Sequence, residues 1–254
     1  MAYNQFAYWY DDLNVNADYD ALAGWITKRL QQEGISAGIV ADLGCGTGEV
    51  TLRLFKAGYD MIAIDKSFDM LSVLRSKIPP EETNSILLLQ QDLAELDLYG
   101  TIVAAVSTFD TFNHLKKEQI LKALKKAALF MEPGGIFIFD VNTPYKNKDI
   151  LAENTFDIQQ DEDTVCEWKN TYDPTLEATK LYITLKKYGK TVFEENFIEY
   201  AYSLDFWQAA LEESGFCCKD IYDGETFSAL SETSQRYLIV AQKHTDRQKE
   251  SCLC

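Results

Sequence analysis

One carboxylate and three glycines stand at spacings that suit the binding of a nucleoside. Gly44, Gly46 and Gly48 follow one apolar segment, and Asp65 follows a second apolar segment at 61–64. Glycine lets the backbone approach a ligand where a side chain would collide with it. A carboxylate at the end of a strand can accept hydrogen bonds from two ribose hydroxyls. Together these residues predict a nucleoside site.

Two further carboxylates narrow the chemistry of the ligand. Asp42 precedes the glycines, and Glu49 stands where a dinucleotide fingerprint has its third glycine. A dinucleotide would place its anionic pyrophosphate at this helix N-terminus, where both carboxylates would repel it. The pattern favours a ligand without phosphate and with a cationic end. S-adenosylmethionine (SAM) has that chemistry, because it carries adenosine, a sulfonium and an α-ammonium group.

The elements that must position these residues alternate between strand and helix. Apolar runs and their breakers predict strands over 39–43, 61–65, 86–90, 102–107 and 136–141, and helices over 49–57, 67–77 and 116–130. This alternation is typical of a parallel sheet with helices on both faces. An amphipathic helix is predicted over 19–30 before it. A helix over 205–214 and strands over 217–222 and 237–242 are predicted after it.

A second region, 154–202, has a different pattern. Apolar residues alternate along it, for example at Leu181, Ile183 and Leu185, and turn signals separate the alternating runs. This period of two predicts an antiparallel set of three or four strands inserted into the α/β fold. Its aromatic residues suit either a cap over the acceptor or the core of a small sheet.

Four segments occur in the order found in one enzyme family. They are DLGCGTG (42–48), AIDKSFDML (63–71), QQDLAEL (90–96) and MEPGGIFIFDVNTPY (131–145). The chain therefore resembles the class I SAM-dependent methyltransferases, specifically those that act on small molecules, over about 35–145. The resemblance implies a doubly wound, seven-stranded Rossmann-like sheet whose last strand is antiparallel. It also implies a SAM-binding domain over 1–152 and 203–245, and an insertion over 153–202 that we expect to cap the substrate.

The resemblance also implies which residues contact SAM, which methyl transfer converts to S-adenosylhomocysteine. They are Tyr10, Asp42, Gly44, Gly46, Asp65, Met70, Asp92, Leu93 and Thr108. Asp65 is expected on the ribose, or else as a cap of the helix that follows it. Asp92 and the Leu93 N–H are expected on the adenine edge, and Met70 or Phe68 on its face.

Two of the other residues expected to contact the cofactor, Asp42 and Tyr10, could have a purely structural role instead. Asp42 is expected to reach the ammonium group through water or to orient the glycine loop. Tyr10 belongs to an N-terminal aromatic group with Tyr3 and Tyr8, which either closes over SAM or packs against the core. Thr108 ends a strand whose carboxyl end faces the pocket, near the methyl group that is transferred.

Three residues are candidates for a general base, which methyl transfer needs only if the nucleophile arrives protonated. His114 follows the fourth strand, where similar small-molecule methyltransferases have a His-Leu pair, but it could instead cap the next helix. Asp110 and Tyr145 are the competing candidates. Methyl transfer is an in-line displacement, so positioning matters more than covalent chemistry.

The composition limits which binding partners and which cellular location we expect for the protein. The net charge of −16 and a pI near 4.5 disfavour nucleic acid, because phosphate binding needs cationic surface. The N-terminus lacks the features of a signal peptide, and no apolar run suits a membrane span. The six cysteines have no metal-type spacing and indicate a reduced, cytoplasmic protein.

The function expected from these observations is methyl transfer from SAM to a small-molecule nitrogen or oxygen acceptor. We expect a monomer or a homodimer, with no metal, nucleic acid or membrane partner. Two alternatives remain open from the sequence. One is a SAM-binding or S-adenosylhomocysteine-binding protein without transfer activity, and the other is a methyltransferase that acts on protein or RNA.

Overall fold

Two sheets and six α-helices make up the part of the chain that the structure describes, which is 6–14, 17–159 and 163–245 in this computed structural model. The strands are β1 (Ile39–Leu43), β2 (Asp60–Asp65), β3 (Ile86–Gln90), β4 (Ile102–Ser107), β5 (Met131–Asn142), β6 (Thr155–Gln159), β7 (Thr164–Asp173), β8 (Ala178–Lys187), β9 (Lys190–Tyr200), β10 (Phe216–Asp223) and β11 (Arg236–Lys243). The helices are α1 (Tyr10–Leu13), α2 (Tyr19–Gln32), α3 (Glu49–Lys56), α4 (Phe68–Lys77), α5 (Lys117–Phe130) and α6 (Leu204–Glu213). Tyr3, Cys252 and Cys254 lie outside the described residues.

The larger sheet has seven strands in the order β3-β2-β1-β4-β5-β11-β10. Strand β11 is antiparallel to both of its neighbours, and the other neighbouring pairs are parallel. The predicted Rossmann-like sheet with an antiparallel last strand is therefore confirmed. The strand order reverses between β1 and β4, and this is the place where ligands of doubly wound sheets bind.

Local signals in the sequence explain where the helices of this domain begin and end. The Ser67 and Ser203 side chains accept hydrogen bonds from Met70 N and Phe206 N, and so cap α4 and α6. Gly58 follows α3 with a φ of +100°, a left-handed conformation that favours glycine.

Strand β5 begins five residues earlier than the sequence predicts. The segment Pro133-Gly134-Gly135 lies within a bulge of the strand, across which the pairing moves from Met131 opposite Ile102 to Ile136 opposite Ala104. A Cβ atom on Gly135 would lie 2.8 Å from the Val103 carbonyl oxygen. Glycine at this position therefore lets β5 lie close to β4 on both sides of the bulge.

The smaller sheet contains β6, β7, β8 and β9, each antiparallel to the next. This confirms the predicted insertion. One face of the sheet packs Ile183, Leu185 and Phe193 against Leu13 of α1. The N-terminal segment thus joins the two sheets.

Two apolar clusters cover the two faces of the larger sheet. Phe112, Phe139 and Trp207 pack in the cluster beneath α5 and α6, and Ile26 and Leu54 pack in the cluster beneath α2 and α3. Within the described residues, no helix is both long enough and apolar enough to cross a lipid bilayer.

Candidate active site

A cavity of about 580 Å³ lies over the carboxyl ends of β1, β2 and β3. Its wall consists of the glycine loop after β1, the first turn of α4, the residues after β3, the segment around His114 and strand β9. The predicted site residues that line it are Tyr10, Gly44, Gly46, Asp65, Met70, Asp92, Leu93 and His114. The volume is in the range of sites for nucleoside-sized ligands, about 300–1,000 Å³.

The Asp65 carboxylate organises the end of the cavity nearest the glycine loop, which we call the cofactor end. Its oxygens accept hydrogen bonds from Gly46 N at 2.9 Å and Ser67 N at 2.8 Å. Burial raises its pKa, and the backbone N–H groups of Ser67, Gly46 and Lys66 oppose that shift. The helix is capped by Ser67 and not by Asp65, so the acid remains directed at the cavity.

The two glycines at this end serve different purposes. A Cβ atom on Gly44 would lie 2.2 Å from Thr111 Cγ2, so Gly44 permits close packing of the loop. A Cβ atom on Gly46 would have nothing within 4 Å, although its φ is +53°. Gly46 therefore leaves open space beside the Asp65 carboxylate, which fits the approach of a ligand.

The residues that follow β2 and β3 in this cavity provide groups suited to binding a flat heterocycle. Asp92 caps a short turn by accepting from Ala94 N at 3.0 Å, and its other oxygen accepts from Lys66 Nζ at 2.6 Å. Met70 is buried, whereas Phe68 lies at the rim with 67% of its surface exposed. Both of the residues considered for the adenine face thus border the cavity.

Asp42 lies beneath the glycine loop and not in the cavity wall. It is 1% exposed, and its Oδ2 accepts a hydrogen bond from Thr51 Oγ1 at 2.5 Å. Burial raises its pKa to about 7, with the Thr51 bond opposing the shift and the Asp65 charge adding to it. Of its two expected roles, this placement suits orientation of the loop.

Tyr10 and Thr108 border the passage between the loop and the N-terminal segment. Both line a smaller hollow of about 40 Å³, which shares Tyr10, Gly44, Gly46 and Phe109 with the larger cavity. Beside it, Asp11 accepts from Thr47 Oγ1 and pairs with Lys77 Nζ, both at 2.5 Å. These bonds hold the N-terminal segment against the loop.

His114 lies on the segment that follows β4, and we call the part of the cavity wall formed by this segment and by β9 the acceptor end. Its ring meets Phe197 edge to face, with centroids 5.4 Å apart, and an imidazole N–H donates to the Ile198 carbonyl. Burial lowers its pKa, while the Asp110 charge opposes the shift. A histidine with a lowered pKa is neutral at pH 7, the form that accepts a proton.

Comparisons with known proteins agree with this geometry. A family model described as a methyltransferase domain matches residues 40–135. A putative methyltransferase of Geobacillus sp. (strain WCH70) is 30% identical over 249 residues, which cover 96% of this chain and 100% of the relative. The chain belongs to the class I SAM-dependent methyltransferases.

Solved structures show the same fold as this methyltransferase. A SAM-dependent methyltransferase from Clostridium acetobutylicum ATCC 824 has a TM-score of 0.85 at 24% identity, covering 96% of this chain and 100% of its own. The sugar N-methyltransferase KedS8 from Streptoalloteichus sp ATCC 53650 has a TM-score of 0.75 at 14% identity, covering 96% and 94%. The confirmed features are the family, the fold and SAM as its methyl donor.

Asp110 and Tyr145, the competing candidates for the base, are not among the described residues that line the methyltransferase cavity. Asp110 pairs with Arg236 Nη1 at 2.9 Å, and the same nitrogen lies 2.6 Å from Asp140. Burial opposes ionisation of Asp110, but Arg236 and Lys146 hold its pKa to about 2. A carboxylate with this pKa is a poor base at pH 7. Tyr145 starts a π-helical turn, Lys146–Leu151.

Asn113 is a buried residue of the methyltransferase that the sequence did not indicate. It is 0% exposed; its Nδ2 donates to the Tyr200 carbonyl at 2.7 Å, and its Oδ1 accepts from Asn142 N at 3.0 Å. These two bonds join the segment that carries His114 to β9 and to β5. No local sequence pattern indicates this role, because both hydrogen-bond partners of Asn113 are backbone groups far away in the sequence.

A charged group that the sequence did not indicate lies near this segment. It contains Glu199, which is buried, and Arg236 and Lys146, which are partly buried. Glu199 accepts from Asn142 Nδ2 at 3.2 Å, and burial together with the Asp110 charge raises its pKa to about 8. Lys146 Nζ donates to Asn142 Oδ1 at 2.9 Å. The positive charges of Arg236 and Lys146 thus lie near the carboxyl groups of Asp110, Asp140 and Glu199, and they offset the negative charge of these acids.

Proposed function

We propose that the protein transfers a methyl group from SAM, bound at the cofactor end, to a nitrogen or oxygen atom of a small molecule at the acceptor end. The observation that carries this proposal is one cavity whose wall contains both Asp65 with Gly46 and His114. A cavity of about 580 Å³ that β9 borders suits a small acceptor better than a folded macromolecule.

The cofactor end has a suitable group for each part of the SAM nucleoside. Both Asp65 oxygens are directed by backbone N–H groups, which leaves their remaining lone pairs for ribose hydroxyls. Gly46 provides open space for the ligand backbone. Asp92 and Leu93 border the place for the adenine edge, with Met70 and Phe68 beside its face.

The acceptor end has the means to align and deprotonate a nucleophile. When bound, SAM supplies an electrophilic methyl group on a sulfonium. The bond from His114 to the Ile198 carbonyl fixes the orientation of the imidazole, and we propose that His114 accepts the proton of the nucleophile. Holding the partners in line is worth about 7–11 kcal/mol in favourable cases.

We further propose that the insertion over 153–202 caps the acceptor and that the enzyme acts in the cytoplasm. Asn196, Phe197, Ile198 and Tyr200 of β9 line the cavity, which supports the role of a cap. The similarity to a sugar N-methyltransferase supports a small acceptor. The net charge of −16 weighs against an acceptor within a nucleic acid.

A turnover screen tests the proposal. The purified protein is incubated with SAM and with pools of amines, hydroxy compounds and carboxylic acids, and S-adenosylhomocysteine is measured. We expect turnover with at least one small-molecule pool. Labelled methyl groups that enter only protein or RNA would contradict the small-molecule assignment. Failure of SAM to bind in calorimetry would contradict the cofactor assignment.

A further inference from the structure

Two consecutive residues after β4 adopt a backbone conformation that side chains disfavour. Phe109 and Asp110 have φ values of +56° and +68°, which lie in the left-handed region. Residues with a Cβ atom seldom adopt this conformation, and two in succession persist only where the surrounding structure holds them. We call these two residues the left-handed turn.

The left-handed turn borders the cavity and leads directly into a contact with the glycine loop. Phe109 of the turn and Thr111, which follows it, both line the cavity. Thr111 Oγ1 donates a hydrogen bond to the Gly44 carbonyl at 3.2 Å, and the two residues pack so closely that a Cβ atom on Gly44 would collide with Thr111. The conformation of the turn therefore sets how the glycine loop is supported from this side.

Asp140 of β5 holds both residues of the turn by their backbone N–H groups. Its Oδ2 accepts from Phe109 N at 3.2 Å, and its Oδ1 accepts from Asp110 N at 3.4 Å. The Asp140 side chain is only 4% exposed, so its charge needs a nearby cation. Arg236 of β11 provides that cation, because its Nη1 lies 2.6 Å from Asp140 Oδ1 and 2.9 Å from Asp110 Oδ1. One guanidinium nitrogen thus joins β11, β5 and the turn.

Gly224 leaves the space that the Arg236 side chain occupies. A Cβ atom on Gly224 would lie 2.8 Å from Arg236 Cγ. The φ of Gly224 is not in the left-handed region, so the glycine provides room and not a special backbone conformation. Gly224 N also donates to the Arg236 carbonyl at 2.9 Å. The placement of the arginine thus depends on a second residue outside the cavity.

We propose that Arg236 is a positioning residue of the SAM site, which acts by holding the left-handed turn and, through Thr111, the glycine loop. The inference rests on the proposed placement of SAM at the cofactor end. Without the Arg236 cation, the Asp110 and Asp140 carboxylates would repel each other and the turn would relax to ordinary φ values. SAM would then bind only the fraction of molecules in which the turn is formed, and its apparent affinity would fall.

Two substitutions of Arg236 test the proposal by calorimetry with S-adenosylhomocysteine. Arg236→Gln should weaken binding by about 5- to 30-fold, the change in population that corresponds to the strain of one left-handed residue with a side chain. Arg236→Lys should retain most of the affinity. Both acids contact a single nitrogen of Arg236, so one ammonium group can replace it.

A glycine in the turn separates the backbone conformation from the charge. Adding Asp110→Gly to Arg236→Gln removes one of the two repelling carboxylates, and glycine adopts a φ of +68° without a steric penalty. The affinity for S-adenosylhomocysteine should therefore recover in the double variant. Gly224→Ala leaves every charge in place but crowds the Arg236 side chain. It should weaken binding in the same direction as Arg236→Gln, by a smaller factor.

Arg29→Gln is the matched control for a loss of stability alone. The Arg29 side chain is 10% exposed, against 12% for Arg236, and it also pairs with two acids, Glu33 at 2.7 Å and Asp220 at 2.5 Å. Arg29 and its two partners are not among the described residues that line the cavity. Urea unfolding should show that Arg29→Gln and Arg236→Gln are both less stable. Only Arg236→Gln should lose affinity for S-adenosylhomocysteine.

Two results would overturn the inference: unchanged affinity in Arg236→Gln, or a double variant that binds as weakly as Arg236→Gln alone. If Arg236→Gln does not fold, Gly224→Ala decides, and unchanged affinity there overturns the inference. Asp65→Ala separates this failure from failure of the proposed function. If Asp65→Ala loses affinity and Arg236→Gln does not, only the role of Arg236 is wrong. If neither variant loses affinity, the placement of SAM at the cofactor end is wrong.

Discussion

The cofactor end and the acceptor end of the cavity are built in different ways. The cofactor end comes from short segments that follow β1, β2 and β3, and backbone N–H groups hold its main carboxylate. The acceptor end joins His114 to Ile198, 84 positions later in the chain, and Asn113 to Tyr200. Local backbone geometry thus determines one end, and long-range contacts determine the other.

This difference separates binding of SAM from alignment of the acceptor. A change at the cofactor end should alter SAM affinity, because its residues lie on short neighbouring segments that do not depend on the smaller sheet. A change at the acceptor end should alter turnover, because its residues depend on how the smaller sheet lies against the larger one. The following variants test that separation, beginning with the largest expected effect.

Asp65→Ala should weaken SAM binding by about 10²–10⁴-fold, because two charge-assisted hydrogen bonds to ribose are worth about 1.5–3 kcal/mol each. Calorimetry with SAM measures the change. Asp60→Ala is the matched control, since Asp60 is an exposed acid at the other end of β2. Unchanged SAM affinity in Asp65→Ala would contradict the proposal that Asp65 binds the ribose of SAM in this cavity.

His114→Ala should lower turnover by about 10²-fold or more, the usual contribution of a general base, and should leave SAM affinity intact. In the unmodified enzyme, the rate should be constant near pH 7 and fall only below pH 6.5, because burial lowers the pKa of His114 from 6.5. Asp110→Asn should move that acidic limb to lower pH, since the Asp110 charge raises the pKa of His114. Full activity in His114→Ala would show that His114 is not the general base and has a structural role only.

Asn113→Ala should reduce the free energy of unfolding by about 2–6 kcal/mol, because it removes the partner of the Tyr200 carbonyl and of the Asn142 N–H, at about 1–3 kcal/mol each. Urea unfolding measures this loss. Turnover should fall with it, while SAM affinity in the folded protein stays the same. An exposed amide, Asn154→Ala, is the control. Equal stability of both variants would show that Asn113 does not join the sheets.

Gly46→Ala should weaken SAM binding about tenfold while costing only the left-handed backbone strain of about 1–2 kcal/mol. Gly44→Ala should lose more stability, because its Cβ would also collide with Thr111. Thermal unfolding and calorimetry distinguish the two variants. If Gly46→Ala retained full affinity, the open space beside Asp65 would not hold the ligand.

Most of the cofactor end was predictable because its signals are local. Gly44, Gly46, Asp65, Asp92 and Leu93 were each indicated by a strand, a turn and a fixed spacing, and the structure places them around one cavity. The sequence left two roles open for Asp42, and only the structure shows that its side chain turns beneath the loop toward Thr51. A spacing places a residue near a turn, but packing decides which way its side chain points.

The acceptor end was predictable only in outline. The alternating pattern indicated an antiparallel insertion, and the structure confirmed it. The pattern did not indicate that β9 would be the strand beside His114, nor that Arg236 would pair with Asp110. Asp110 and Tyr145 were chosen by their positions after strands, and that position alone does not bring a side chain into a cavity.

By itself, the sequence determined the alternation of strands and helices, the glycine loop and the acids that follow β1, β2 and β3. These features depend on residues within one turn or one strand of each other. Only the tertiary structure decided the contacts of Asn113 and His114 with β9. Such contacts join residues about 85 positions apart, and their geometry depends on how two sheets pack.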